Sequence, residues 1–247
     1  MLLSRIEDAG INASAPPQQR WLDGWLVRYS PGKAKRARCI NAVAPGRLPL
    51  DQKLRLAAQV FTDSGLPMIV RVTRFSHPAG LDADLARRGY TLLDDTRVML
   101  CSQLLDRPSG LATGTELAAL DATSFAAAVG NLRGSPSEQQ RAHAERLTLS
   151  PVPYQGFAIR RCDGGQILAC GQIAREAEFV GIYDVFTSHD SRGQGLAGKM
   201  CEYLLSLAAA QGAKVAYLQV EADNVARRIY QRLGFVDAYA YHYRQAP

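Results

Sequence analysis

The 247-residue chain is 47% hydrophobic and 21% charged, the composition of a globular protein long enough to bury a substantial core. Its +6 formal charge comes from 29 Lys and Arg spread along the chain, with one small cluster at Lys33, Lys35, Arg36 and Arg38. That excess is too mild and dispersed to indicate nucleic acid, and no run approaches about 18 apolar residues, so no membrane span is expected. The five cysteines are odd in number, irregular in spacing and without a CxxC pair. A disulfide framework or metal site is therefore not expected, and a reducing, cytoplasmic compartment fits the thiols.

The N-terminal ten residues lack a basic segment leading into an apolar stretch of signal-peptide length. Arg20 to Ser30 reads as one strand on the strength of Trp21, Trp25, Val27 and Tyr29. Pro31-Gly32 then turns the chain, and Arg36 to Val43 returns as a second strand. Leu54, Leu56, Ala57, Val60 and Phe61 recur at helical spacing and predict a helix over 50–64, stopped by Gly65 and Pro67. A short strand at 68–72, a short helix at 81–88 ended by Gly89, and strands at 90–93 and 97–104 follow.

Composition changes at 106–115, where Pro, Gly, Ser and Thr replace periodic apolar residues, and a boundary is placed there: an N-terminal domain over 1–105 and a second over 106–247. Helices are predicted at 118–128 and 137–147. Strands at 156–161 and 166–175 are joined by Asp163-Gly164-Gly165, a hairpin signal flanked by Cys162 and Cys170, which are taken as ordinary buried thiols. A third strand spans 179–186.

After that strand come Thr187 to Ser191 and then Arg192-Gly193-Gln194-Gly195-Leu196-Ala197-Gly198. A helix follows with Leu196, Met200, Leu204 and Leu207 on one face; Gly212 ends it, and 215–220 is the next strand. Strand, glycine-rich loop and helix in that order make an anion site. The first amides of a helix have no intrahelical partner, the dipole places about half a positive charge there, and glycines let the backbone approach a phosphate. Gly193-Gln-Gly195-Leu-Ala-Gly198 also satisfies GxGxxG, with Glu221 about twenty residues on, so a dinucleotide-binding oxidoreductase is one alternative. Against it, Thr187 to Ser191 separates strand from glycines, whereas a dinucleotide fold turns tightly there. The motif also leaves too little chain for the remaining βα units.

The next segment is Leu218-Gln-Val-Glu-Ala-Asp-Asn224-Val-Ala-Arg-Arg-Ile-Tyr230-Gln-Arg-Leu-Gly234-Phe235. Asp223 or Asn224 caps a short helix, Gly234 closes it, and Phe235 opens a last strand. Taken with the loop, this resembles the GNAT superfamily of acyl-CoA N-acyltransferases. The family's Gln/Arg-x-x-Gly-x-Gly/Ala signature reads here as Arg192-Gly-Gln-Gly195-Leu-Ala197, and its second cofactor segment as Asn224, Tyr230 and Gly234-Phe235. His189 stands where the family often has proline.

The resemblance implies an α/β (α+β) fold: a GNAT-like mixed, mostly antiparallel twisted sheet flanked by helices, in two related halves. Leu85-Ala-Arg-Arg-Gly89-Tyr90 faintly echoes Tyr230-Gln-Arg-Leu-Gly234-Phe235, which makes 1–105 a degenerate GNAT-like half that would wall the acceptor site. The implied cofactor is acetyl-CoA. Backbone groups of Val185, Phe186 and Thr187 would bond its pantetheine arm, amides of Arg192, Gly193, Gln194, Gly195, Leu196 and Ala197 its pyrophosphate, and Asn224 its body. Tyr230 would be the acid for the leaving thiolate. Asp184 is the candidate base, with Glu221 and water-relayed deprotonation left open, and the four histidines form no visible cluster.

The partner is an amine acceptor, a small molecule or a peptide, with no nucleic acid and no membrane. A non-catalytic acyl-CoA sensor on the same fold is the other alternative. The terminal strand at 238–244, if exposed, would offer an edge for a homodimer.

Overall fold

The computed structural model describes residues 1–31 and 34–247, so Gly32 of the expected turn and Lys33 lie outside the described residues. In chain order the elements begin with α1 (Leu2–Ala13), β1 (Gln19–Leu22), β2 (Trp25–Arg28), β3 (Ile40–Asn41), α2 (Leu50–Asp63), β4 (Ile69–Thr73), α3 (Leu81–Arg87) and β5 (Thr91–Cys101). They continue with β6 (Thr115–Leu120), α4 (Ala122–Arg133), α5 (Ser137–Thr148), β7 (Tyr154–Arg161), β8 (Ile167–Glu176) and β9 (Phe179–Thr187). The chain closes with α6 (Leu196–Ala210), β10 (Val215–Glu221), α7 (Arg227–Arg232) and β11 (Val236–Gln245). They form a mixed α/β fold with most neighbouring strands antiparallel.

Contacts divide the chain into two compact units. The larger comprises Met1–Ala13 and Met99–Ala238, the smaller Ser14–Val98 and Tyr239–Pro247. In the smaller unit the strand order is β1-β2-β3-β4-β11. The single strand expected over Arg20 to Ser30 is instead a hairpin, turned by Asp23 at φ 44° and Gly24 at φ 81°. Both turn residues need positive φ, and Asp-Gly supplies it. Trp25 is fully buried, with Lys53 Nζ 4.7 Å from its ring centroid, whereas Trp21 is 66% exposed and does not join the core. The two strands expected around 90–104 are one strand, β5, which takes Asp94 through φ 50° without breaking. β11 pairs antiparallel with β4 from Tyr241 opposite Thr73 to Gln245 opposite Ile69, so it is not the open edge that a strand-paired dimer would use.

In the larger unit the order is β10-β9-β8-β7-β6, with Met99–Cys101 at the end of β5 also belonging to this unit. α6 packs Met200, Leu204, Leu205 and Ala208, all fully buried, against Ile173, Val180 and Ile182. Phe125 and Val129 of α4 and Leu147 of α5 close on Cys170 of β8. Side chains alternate along a strand, so the residues facing α6 and those facing α4–α5 interleave on β8 and β9. α1, absent from the sequence-level expectation, is tied down by Arg5 to Glu178 at 2.7 Å and by Asn12 Nδ2 donating to Glu176 at 3.0 Å. Residues 115–120, expected to run from linker into helix, form strand β6 beside β7. All five cysteines are free, and Cys162 is exposed rather than buried.

One glycine is fixed by close approach. A Cβ on Gly181 would fall 2.4 Å from the Tyr183 ring, and Tyr183 shares a 2.9 Å hydroxyl contact with Tyr217 while its ring meets Tyr154 edge-on. Gly181→Ala must expel that ring from its packing. A loss of about 1–3 kcal/mol is expected, read as a lower midpoint in denaturant unfolding.

Candidate active site

The site is built where β9 changes partners. Among the described residues its parallel ladder with β10 covers three pairs, ending at Gly181 opposite Tyr217. β9 continues to Thr187 and β10 to Glu221 beyond that ladder, so the strands part and leave a cleft lined by backbone. On its other side β9 stays paired with β8, but the register slips: Tyr183 faces Gln172 and Phe186 faces Cys170. Asp184 and Val185 therefore stand against Gly171 alone. The bulge places Asp184 at φ 51°, a left-handed conformation that Asp tolerates better than most residues.

The bulge sorts three consecutive side chains. Val185 packs into the α6 core, with Leu196 of α6 and Tyr230 of α7 in the same cluster. Phe186 turns to the α4–α5 side. Asp184 also reaches that side, where Arg133 Nη1 lies 2.9 Å from its Oδ1 and Gln172 Nε2 donates to its Oδ2 at 2.8 Å. His143 Nε2 lies 3.4 Å from the same Oδ2. Burial raises the Asp184 carboxyl, but the His143 imidazole and the charges of Arg133 and Arg146 more than reverse it, holding the group well below the usual carboxylate range. With those donors in place the carboxylate is a poor proton acceptor. Arg133 and Arg192 both lie over the Phe186 ring, 5.3 and 5.7 Å from its centroid.

Past Thr187 the chain makes a short turn at His189–Ser191 and enters the glycine loop. Gly193 and Gly195 have φ of 78° and 76°, and a Cβ at either would meet nothing within 4 Å. Here glycine answers to backbone conformation, since no neighbour crowds either position. Gly195 caps α6, whose first helical bond runs from Lys199 N to Gly195 O at 3.1 Å. The amides just inside that end have no intrahelical acceptor. Two hydroxyls at the β9 end, Thr187 Oγ1 and Ser188 Oγ, are buried without a hydrogen-bond partner. Buried polar atoms are rarely left so, and this pair suits a polar group that arrives with a ligand.

Asn224 Oδ1 accepts from Ala226 N at 2.9 Å and so starts the turn into α7. Tyr230 is half-buried and meets Phe235 edge-on at 6.1 Å. Burial pushes its phenol above the ordinary tyrosine value, as does the neighbouring Cys201 thiol, itself pushed up to about 12 by burial and by Glu202. The phenol thus stays protonated at neutral pH. Glu221 lies at the exposed end of β10. His189 is exposed and His242 pairs with Asp82 in the smaller unit, while His143 sits at Asp184. Sequence reading missed His143, Arg133 and Gln172; they come from three separate elements, and no spacing pattern joins them.

A parted parallel strand pair, a left-handed glycine loop at a helix start and a protonated phenol on the following helix thus come together in one candidate site. Residues 125–235 match the family model described as "Acetyltransferase (GNAT) family", and this part of the chain is a GNAT acetyltransferase domain. The chain is 26% identical over 235 residues to a Bacillus subtilis (strain 168) protein named "Uncharacterized N-acetyltransferase YobR", covering 92% of this chain and 91% of that one. Among solved structures, a GCN5-related N-acetyltransferase from Kribbella flavida superposes with a TM-score of 0.68 at 19% identity, covering 99% of this chain and 95% of its own. A tandem GNAT protein from the clavulanic acid biosynthesis pathway gives 0.62 at 13% identity, over 80% and 70%. At those identities the structures speak for the fold alone. Among the described residues no helix is long and apolar enough to cross a membrane.

Proposed function

We propose that the protein is an N-acetyltransferase that moves an acetyl group from acetyl-CoA to a primary amine by direct attack, with residues 106–247 as the acetyltransferase domain and 1–105 as a degenerate GNAT-like half. The observation that carries the reading is the cleft between β9 and β10 beside the left-handed Gly193–Gly195 loop. The unpartnered hydroxyls of Thr187 and Ser188 fit the same ligand. The free thiols suit a cytoplasmic setting.

Backbone groups of Val185, Phe186 and Thr187 would bond the pantetheine arm as an added strand. Amides from Arg192 through Ala197, with Gly193, Gln194, Gly195 and Leu196 between them, would hold the pyrophosphate at the positive end of α6. Asn224 would contact the cofactor where the strands part. Bound acetyl-CoA supplies a thioester carbonyl open to a neutral amine. An amide at the bulge would stabilise the developing oxyanion, and the phenol of Tyr230, kept protonated by burial, would protonate the leaving sulfur. Asp184, one residue before this segment, anchors its acceptor side through Arg133 and Gln172.

Thermal unfolding with acetyl-CoA, CoA, NAD and FAD tests the reading. A ligand at 100 times its dissociation constant adds about 2.7 kcal/mol. Stabilisation by the two CoA species alone is expected. No response to either would sink the proposal, and a response to NAD or FAD would favour a dinucleotide enzyme. Binding without turnover over a broad amine panel would favour a sensor.

A further inference from the structure

We infer that His143 is the residue that takes the amine's proton, held in place by Asp184. The inference rests on the acetyl-transfer reading and names a catalytic group for it.

Asp184 is already engaged by two donors. Its carboxylate meets the Arg133 guanidinium at 2.9 Å and the Gln172 amide at 2.8 Å. A carboxylate so occupied orients a neighbour better than it accepts a proton. That neighbour is His143, whose Nε2 faces Oδ2 at 3.4 Å. Such contacts often tighten when substrate binds. Nε2 is buried and completes no hydrogen bond at this separation, while 17% of the side chain meets solvent, so the exposed part of the residue excludes Nε2. A carboxylate opposite Nε2 favours the tautomer with its proton there, which leaves the Nδ1 lone pair free.

Phe125 of α4 meets the ring edge-on, at 6.4 Å between centroids. The charged and titratable groups around the imidazole and its carboxylate are Arg133 from α4, Arg146 from α5, the helix of His143 itself, Asp184 from β9 and Cys170 from β8. The Cys170 thiol is pushed up to about 12 by burial and by Asp184, so it does not compete as a base. Asp184 directly precedes Val185 and Phe186, the segment proposed to flank the thioester. A histidine held by a carboxylate beside the reacting carbon is the base-and-orienter pair that proton removal needs.

The step balances as follows. Nδ1 of His143 takes one proton as the amine nitrogen bonds the thioester carbon. Tyr230 gives its phenol proton to the sulfur as the carbon–sulfur bond breaks. One proton then passes through solvent from imidazolium to phenolate, which restores both side chains.

Two measurements test this. The first is the pH profile of kcat/KM for His143→Gln and His143→Ala, using acetyl-CoA and whichever amine of a panel of diamines, amino acids, aminoglycosides and short peptides releases CoA fastest. Loss of a general base costs about 10²–10⁴-fold. The variants should lose rate on that scale, keep their KM for acetyl-CoA and lose one ascending ionisation. The second maps covalent labelling by S-bromoacetyl-CoA in the unaltered protein. Nδ1 would bond the methylene carbon as bromide leaves. The adduct is expected on the tryptic peptide 142–146, with excess CoA blocking it, and this holds even if a variant folds poorly. Turnover with the ascending ionisation unmoved, or a CoA-protected label on any other residue, overturns His143 as the base while leaving acetyl transfer standing. No CoA binding, or no amine acylated, overturns the acetyl-transfer reading and this inference with it.

Discussion

Asp184→Ala should lower the unfolding free energy by about 3–5 kcal/mol, because it leaves the Arg133 cation without the carboxylate that it faces. The two side chains are 28% and 19% exposed, buried enough for that scale to apply. Alanine also tolerates the left-handed backbone at 184 less well than aspartate does. Asp184→Asn keeps the shape and one acceptor, so a smaller loss of about 1–3 kcal/mol is expected. The pH dependence has a fixed sign. A carboxyl whose folded pKa lies below its unfolded value contributes stability that is complete above the unfolded value, about 3.9. That contribution fades as the pH falls toward the folded value. Urea unfolding at several pH values should therefore show the advantage over Asp184→Asn at full size near neutrality and shrinking in acid below about pH 4. An advantage that grew with acid would refute the account.

The double variant Gly193→Val and Gly195→Val is expected to abolish stabilisation by CoA and acetyl-CoA. Both positions have open space for a side chain but a positive φ that a β-branched residue resists. Either the loop backbone rearranges or valine is strained at about 1–2 kcal/mol per residue. Misdirecting two amides that would hold a charged phosphate, each worth about 1.5–3 kcal/mol, amounts to roughly a hundredfold or more in dissociation constant. The protein alone should lose at most the backbone strain of the two positions, about 2–4 kcal/mol, since a side chain at either would clash with no neighbour. Isothermal titration with CoA separates the two effects. Tight CoA binding by the double variant would remove the loop from the site.

Much of this was legible in the chain because it is local. α2, α3 and α6 announce themselves by apolar spacing and by the residues that stop them, and the loop from Arg192 to Gly198 carries its own geometry in its glycines. The hairpin at Asp23-Gly24 was also written there, but aromatic residues on both arms made it read as one strand. The residues of β6, Thr-Glu-Leu-Ala-Ala-Leu, favour a helix intrinsically, and pairing with β7 overrides that preference. The set of Arg133, His143, Gln172 and Asp184 left no trace in the sequence. Two helices, a strand and a bulge must be in place before the four meet, and the bulge is a matter of register that local residues do not encode.

The smaller unit draws strand β11 from the last residues of the chain, to lie along β4. Synthesis proceeds at about 5–20 residues per second, so β4 waits on the order of ten seconds for its final neighbour after leaving the ribosome. Through that interval one edge of β4 has no partner from its own chain, an invitation to pairing with other nascent chains. β4 is thus made well before the strand that covers it, and a chain stalled before Tyr241 would leave that edge of β4 unpaired.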